Sequence, residues 1–233
     1  MNKLSLPLII LATALTGCGG GDSSSNAAPM IKKDGIYINK QDLVVALVDT
    51  DRSEDTVIIG DYVNNEIFSA NTKSIKGNTL ITKDVMAISA QGRNIHPELE
   101  LSFNFSETGM SASGVIDNQH LVYSFSRATS SLPLSDMIGS HVDTDGSQLI
   151  ITEDGSITAN SKLGCTINGK IQRHKFYYTV SEIDATQCTD PLFNNNNYEG
   201  ILLTADYDDK TYLLSIIANQ DGNVLWGSIP ISF

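Results

Sequence analysis

Leu99-Glu100-Leu101-Ser102-Phe103-Asn104-Phe105 places apolar side chains at every odd position and polar ones at every even position. Successive side chains of an extended strand point to opposite faces, so this stretch specifies a strand with one face in a core and the other in water. Outward from it, short apolar runs rich in β-branched and aromatic residues recur at 36–38, 43–48, 57–63, 121–125, 149–152, 175–180, 201–205, 212–218 and 224–231. Such residues fit the pleated surface of a sheet. Between the runs stand Asp154-Gly155, Asn168-Gly169, Asp208-Asp209-Lys210 and Asp221-Gly222, pairs that tolerate the positive φ of tight hairpins. No helical repeat extends beyond about two turns. The expected fold is all-β, with two antiparallel β modules, each a sandwich or small barrel.

A chain of 233 residues is long enough for one large domain or two small ones, and 41% hydrophobic residues supply a real core. Residues 127–135 (Arg-Ala-Thr-Ser-Ser-Leu-Pro-Leu-Ser) break the strand rhythm and read as a linker between an N-terminal module at 35–126 and a C-terminal module at 136–233. An ungapped internal comparison supports that division. Residues 109–126 and 164–181 share Gly109/Gly164, Gly114/Gly169, Ile116/Ile171, Tyr123/Tyr178 and Ser126/Ser181, as though one hairpin occurred twice. Met110 and Cys165 then fall at equivalent positions, which are expected to face inward.

The N-terminus carries a different signal. Lys3 precedes an apolar run from Leu4 to Leu15. Its length of about twelve residues falls short of the roughly twenty that span a bilayer, so residues 1–17 read as a signal peptide. The run ends in Leu15-Thr16-Gly17-Cys18, which resembles the lipobox of bacterial lipoproteins. The resemblance implies a diacylglyceryl group on the sulfur of Cys18, cleavage before it, and acylation of the freed amine, with palmitate a typical label. Gly19 in place of an aspartate implies transport onward to the outer membrane. Residues 18–34 would be the lipidated cysteine and a flexible Gly/Ser-rich tether. Removal of residues 1–17 leaves 14 basic against 27 acidic side chains, a net charge of −13.

With Cys18 assigned to lipid, Cys165 and Cys188 remain as a pair. In an exported protein such a pair is expected to form a disulfide. The closed loop of 24 residues is worth roughly 3 kcal/mol in the chain-entropy account. The histidines His96, His120, His141 and His174 form no zinc-ligand spacing with these cysteines. The Gly146 to Gly155 hairpin, the Gly164-Cys165 to Gly169 segment, Cys188 and Tyr198-Glu199-Gly200 resemble the C-terminal module of a group of two-module β lipoproteins of Gram-negative bacteria. That resemblance supports the architecture and supplies no catalytic residue.

Function is written less plainly. The formal net charge of −12 excludes a nucleic-acid binder, because such proteins gain affinity by neutralising phosphates with Lys and Arg. No G-x-S-x-G, P-loop, G-x-G-x-x-G or H-E-x-x-H occurs, so no catalytic residue, cofactor or metal is expected, and the chain reads as a non-enzyme. His141-Val142-Asp143-Thr144-Asp145-Gly146 imitates the start of a calcium loop, but a His stands first and Thr152 takes the twelfth position. The acidic stretches 49–55 and 206–209 read as solvated turns. One basic concentration, at 170–178, offers Arg173, Lys175 and Tyr177 as candidate partner-binding residues, since Arg and Tyr favour interface centres. Trp226 reads as core. The expected role is a lipid-anchored lipoprotein of the outer membrane that binds a protein or envelope partner, of which immunity to a toxin is one form. The alternatives are a carrier of small apolar ligands inside a barrel and, behind it, an envelope hydrolase.

Overall fold

A computed structural model describes residues 31–89, 92–116, 119–161 and 164–232. The first nine strands are β1 (Gly35–Asn39), β2 (Val44–Val48), β3 (Val57–Asp61), β4 (Glu66–Lys76), β5 (Thr79–Ser89), β6 (Gly92–His96), β7 (Ser102–Phe105), β8 (Gly109–Ile116) and β9 (Gln119–Arg127). Each pairs antiparallel with its neighbour in the order β1-β2-β3-β4-β5-β7-β8-β9, and β9 returns to β1 through Tyr37↔Arg127 and Ile38↔Ser126. The result is a closed eight-stranded barrel. β6 and β7 share one edge of β5, β7 against its first half and β6 against its second. Pro97, which has no N–H to donate, sits at the break, and buried Thr82 bridges it by accepting from the Leu101 N–H and donating to the Leu101 carbonyl, both at 3.3 Å.

A short 3₁₀ turn (Leu134–Asp136) leads into the second unit: β10 (Gly139–Val142), β11 (Gln148–Ile151), β12 (Ser156–Asn160), β13 (Thr166–His174), β14 (Tyr177–Thr186), β15 (Asn195–Tyr207), β16 (Lys210–Ala218) and β17 (Val224–Pro230). These form an up-and-down sheet of eight strands in sequence order, curled into a nearly closed barrel. Its seam is bridged by His141. The ring, 1% exposed, accepts from the Ser232 N–H at Nδ1 (3.2 Å) and meets the Met137 carbonyl at Nε2 (2.8 Å). Only the neutral tautomer with the proton on Nε2 satisfies both groups.

Alternation assigns each side chain to a layer. Tyr37, Leu80, Phe103, Phe105, Met110 and Phe125 fill the first barrel, so the odd positions of 99–105 point inward as their spacing predicts. Met137, Cys165, Tyr178, Ile183, Tyr198 and Leu202 fill the second, and Cys165 is disulfide-bonded to Cys188. A third cluster lies between the barrels: Ile36, Ile38, Val45 and Leu47 from the outside of β1 and β2 meet Leu203, Leu214 and Ile216 from the outside of β15 and β16. Those strands are buried on both faces, which is why 43–48 reads as an unbroken apolar run and 201–205 as one interrupted only by the buried Thr204. Trp226 is half-buried against this middle cluster, outside the second barrel.

Two local expectations are corrected. Asn168-Gly169 is not a turn but lies within β13 at a register shift; a Cβ on Gly169 would collide with the Ile183 side chain, so the glycine serves close packing. The turn signals at Asp154-Gly155, Asp208-Asp209 and Asp221-Gly222 do sit in turns with positive φ. Nor do 109–126 and 164–181 form the same hairpin. Gly109 pairs with Ser126, whereas Ser181 pairs with Lys170 and Gly164 precedes the strand, although Met110 and Cys165 both point inward.

Both barrels are oriented by their loops. The chain enters at the end carrying loop 49–56, where Arg127 donates to the carbonyls of Lys32 and Asp34 and to the Tyr37 hydroxyl, which in turn donates to the Lys33 carbonyl at 2.6 Å. Burial pushes the Tyr37 phenol up to about 12 despite the adjacent guanidinium. Turns 175–176 and 208–209 of the second barrel lie at this same end, and loops 40–43, 62–65, 143–147 and 219–223 at the opposite one. Replacing His141 by Ala strands the Met137 carbonyl and the Ser232 N–H and opens a void. The expected cost is about 2–4 kcal/mol, read as a lower midpoint in thermal unfolding; a loss below about 1 kcal/mol would show that the seam does not depend on the imidazole.

Candidate functional site

The β13–β14 hairpin turns at 175–176 and drives its tip into the junction between the barrels. Lys175 adopts a φ of 52°, which directs its side chain back across the junction. Its Nζ lies 2.5 Å from Oδ1 of Asp49 and 2.7 Å from Oδ2 of Asp51. Asp49 follows directly on the two-faced strand β2 and is completely buried. Its Oδ2 accepts from the Tyr177 hydroxyl at 3.0 Å, its Oδ1 accepts from the Asp51 N–H at 3.2 Å, and His174 Nε2 stands 3.5 Å from Oδ2. Arg52 reaches the Tyr177 hydroxyl from the other side at 3.5 Å.

A buried carboxylate costs free energy unless it is paired and hydrogen-bonded. Burial pushes Asp49 upward, but the hydrogen bonds from Lys175, Tyr177 and the backbone, with the Lys175 charge, outweigh it and hold the group below the usual carboxylate range. Burial opposes the Lys175 charge, and the two aspartates more than offset it, so its ammonium is held protonated above the ordinary lysine range. Tyr177 is raised by burial. Asp34, Asp49 and Asp51 lie close enough to share one cation. The Lys175 ammonium already supplies a positive charge to Asp49 and Asp51, and Asp34 accepts from the Thr50 N–H and hydroxyl.

Arg173 faces the linker. Its Nη1 donates to the carbonyls of Ser131 (2.8 Å) and Leu132 (2.9 Å), and its guanidinium lies 5.0 Å from the Tyr178 ring centroid. The Tyr178 hydroxyl also donates to the Leu132 carbonyl, and the Ser131 N–H donates to the Phe176 carbonyl. Ser131 and Leu132 of the linker are thus bound to the second barrel. The three residues singled out for partner contact are brought together, with Tyr177 buried and all three engaged by their own chain. Sequence reading missed Asp49, placed among solvated turn acids; the available signal was its position immediately after five consecutive buried apolar residues. The four histidines do not gather: His96 is on β6, His120 on β9, His141 in the seam and His174 at the junction. In the loop that imitates a calcium site, Asp143 accepts from Thr144 and caps its own turn. Cys18 and the rest of the signal and tether segment through residue 30 lie outside the described residues.

Searches of protein-family models, curated proteins and solved structures find no match for this chain.

Two outcomes test the junction. Lys175→Met leaves Asp49 buried without its ammonium and is expected to cost about 2–3 kcal/mol. Asp51→Asn, at a side chain 75% exposed, should cost less than about 1 kcal/mol. Equal costs in denaturant unfolding would contradict the assignment of Asp49 as the buried anchor. With Asp49 titrating below its unfolded value, its contribution is present above about pH 4 and is lost as pH falls through the lower folded value. Lys175, raised, contributes throughout neutral pH and loses its contribution only above the ordinary lysine range. The stability difference between the native chain and Asp49→Asn should therefore stay level from about pH 5 to 9 and shrink on acidification below about 4. A difference that changes across neutrality would point to another group.

Proposed function

We propose that this chain is a lipid-anchored envelope lipoprotein of the outer membrane whose two barrels act as one non-catalytic unit that binds a protein or envelope partner. The observation that carries the reading is Leu15-Thr16-Gly17-Cys18 at the end of a short apolar run, followed by a Gly/Ser-rich segment. Two or more acyl chains, at about 0.8 kcal/mol per buried methylene, give stable attachment where one chain is marginal. The packing of the barrels supports binding outside them over carriage within them. Tyr37 and Phe105 have ring centroids 5.7 Å apart inside the first barrel, and Tyr178, Tyr198 and Leu202 are fully buried inside the second. The disulfide between Cys165 and Cys188 accords with an oxidising envelope compartment.

Growth with radiolabelled palmitate is expected to label the native protein and leave Cys18→Ala unlabelled, with the variant recovered as precursor or soluble protein. Label retained by Cys18→Ala, or a cleaved variant still held at the membrane, would overturn the anchor.

A further inference from the structure

The first barrel has an overhang. Only Tyr37 and Ile38 of β1 pair with β9, at Arg127 and Ser126, so residues 119–124 of β9 and the end of β8 run on past the rim. The overhang lies at the end of the barrel opposite the point where the chain enters. Beside it the β7–β8 ladder begins only at Ser102, and the preceding Leu101 is held to β5 by the Thr82 N–H on its carbonyl at 2.9 Å. An open groove of about 460 Å³ results, lined by Leu99, Val115, Leu121 and Val122 together with Glu98 and Glu100. Gly114 forms part of its wall, where a Cβ would press on the Leu101 side chain at 2.5 Å.

Three features set this groove apart from the rest of the surface. Among the described residues, five of the eight large apolar side chains left exposed lie at this end of the molecule: Val63, Val115, Val122, Val142 and Leu192. Val122, on the groove, is the most exposed of all at 69%. Glu98 and Glu100 are the acidic groups of the lining, no Lys or Arg is among the lining residues, and Ser102, Ser113 and His120 complete its polar part. Lys73 pairs with Glu100 and also feels the charge of Glu98, which remains exposed to solvent. More negative charge stands close by: the Tyr123 phenol, raised first by burial, is raised further by Asp42, Asp61 and Glu66. At the opposite end the cationic hairpin tip is already neutralised by Asp49 and Asp51.

We propose that the groove is the docking site for an extended basic segment of a protein partner, whose aliphatic side chains rest on Val115, Leu121 and Val122 while its Lys or Arg side chains meet Glu98 and compete with Lys73 for Glu100. This rests on reading the chain as a binding protein, and it adds the partner's chemistry and the face it uses. An anchor joined ahead of Ile31 would put the groove at the end away from the attachment point. Apolar contacts supply most of the affinity in such a mode, and the carboxylates disfavour acidic segments.

The test uses the protein as isolated from cells, with or without lipid, methyl-labelled at Val and Leu and titrated with two peptides, Lys-Val-Lys-Leu-Lys-Val-Lys and its glutamate counterpart. Saturable shifts are expected at Leu99, Val115, Leu121 and Val122 with the basic peptide, and about tenfold weaker binding with the acidic one. Glu98→Lys, at an exposed site where folding is not at risk, should weaken the basic peptide by about threefold to tenfold. Shifts centred elsewhere, equal response to both peptides, or no saturation would overturn the proposal. Palmitate labelling reads the anchor separately, so failure of the groove and failure of the lipoprotein reading remain distinct.

Discussion

Two barrels that each close on their own interior would have no reason to adhere, yet here the outer faces of β1 and β2 are as apolar as their inner faces. Ile36, Ile38, Val45 and Leu47 must leave water, and the surface that covers them is the outer face of β15 and β16. Fully burying a side chain of this size is worth about 1.5–3 kcal/mol, so a handful of them amounts to a large fraction of a domain's net stability. The docking of the barrels is therefore part of the fold. The short linker, with Ala128 bonded to Ile36 on one side and Ser131 to Phe176 on the other, follows the geometry that this apolar contact sets.

Asp49 adds direction to a contact that hydrophobic burial leaves non-directional. Apolar faces can slide against one another, whereas a carboxylate excluded from water must meet its ammonium and hydroxyl partners in one place. Lys175 and Tyr177 stand at a hairpin tip on the second barrel, and only one register of the two barrels brings them to Asp49. A buried ion pair is seldom a strong source of net stability, since desolvation offsets much of the Coulomb attraction. Its effect here is to penalise every other arrangement of the same apolar surfaces.

How far the sequence discloses this follows from the physics of each element. Alternation at 99–105 and turn chemistry at Asp154-Gly155 and Asp221-Gly222 are local properties, so the all-β class and several hairpins are legible. The nearly continuous apolar runs at 43–48 and 201–205 carry the sign of a second buried face but do not say what covers it, because that information resides in another strand far along the chain. β4 and β5 escape notice for the opposite reason: Asn71, Thr72, Lys73 and Ser74 are polar enough to resemble a loop, and a long hairpin with a wet outer face needs few apolar residues. The cysteine pair is legible by arithmetic once Cys18 is set aside. The cationic hairpin reads as a binding surface, and it does bind, but its ligand is the first barrel.

That last point bears on where an external partner would make contact. A folded chain uses its strongest complementary charges first where they also bury apolar surface, so the basic tip at 173–175 is spent within the molecule. What remains exposed is most of the acid of a chain that holds 27 carboxylates against 15 bases, together with those apolar side chains that neither barrel nor junction covers. Spread over β-turns, such charge mainly keeps a protein soluble. Where it borders uncovered aliphatic groups on a protruding hairpin, the same charge selects among partners. The face that looked most like an interface in the sequence and the face left available in the fold are thus different, and the difference arises because the two barrels settle their own contact before any partner arrives.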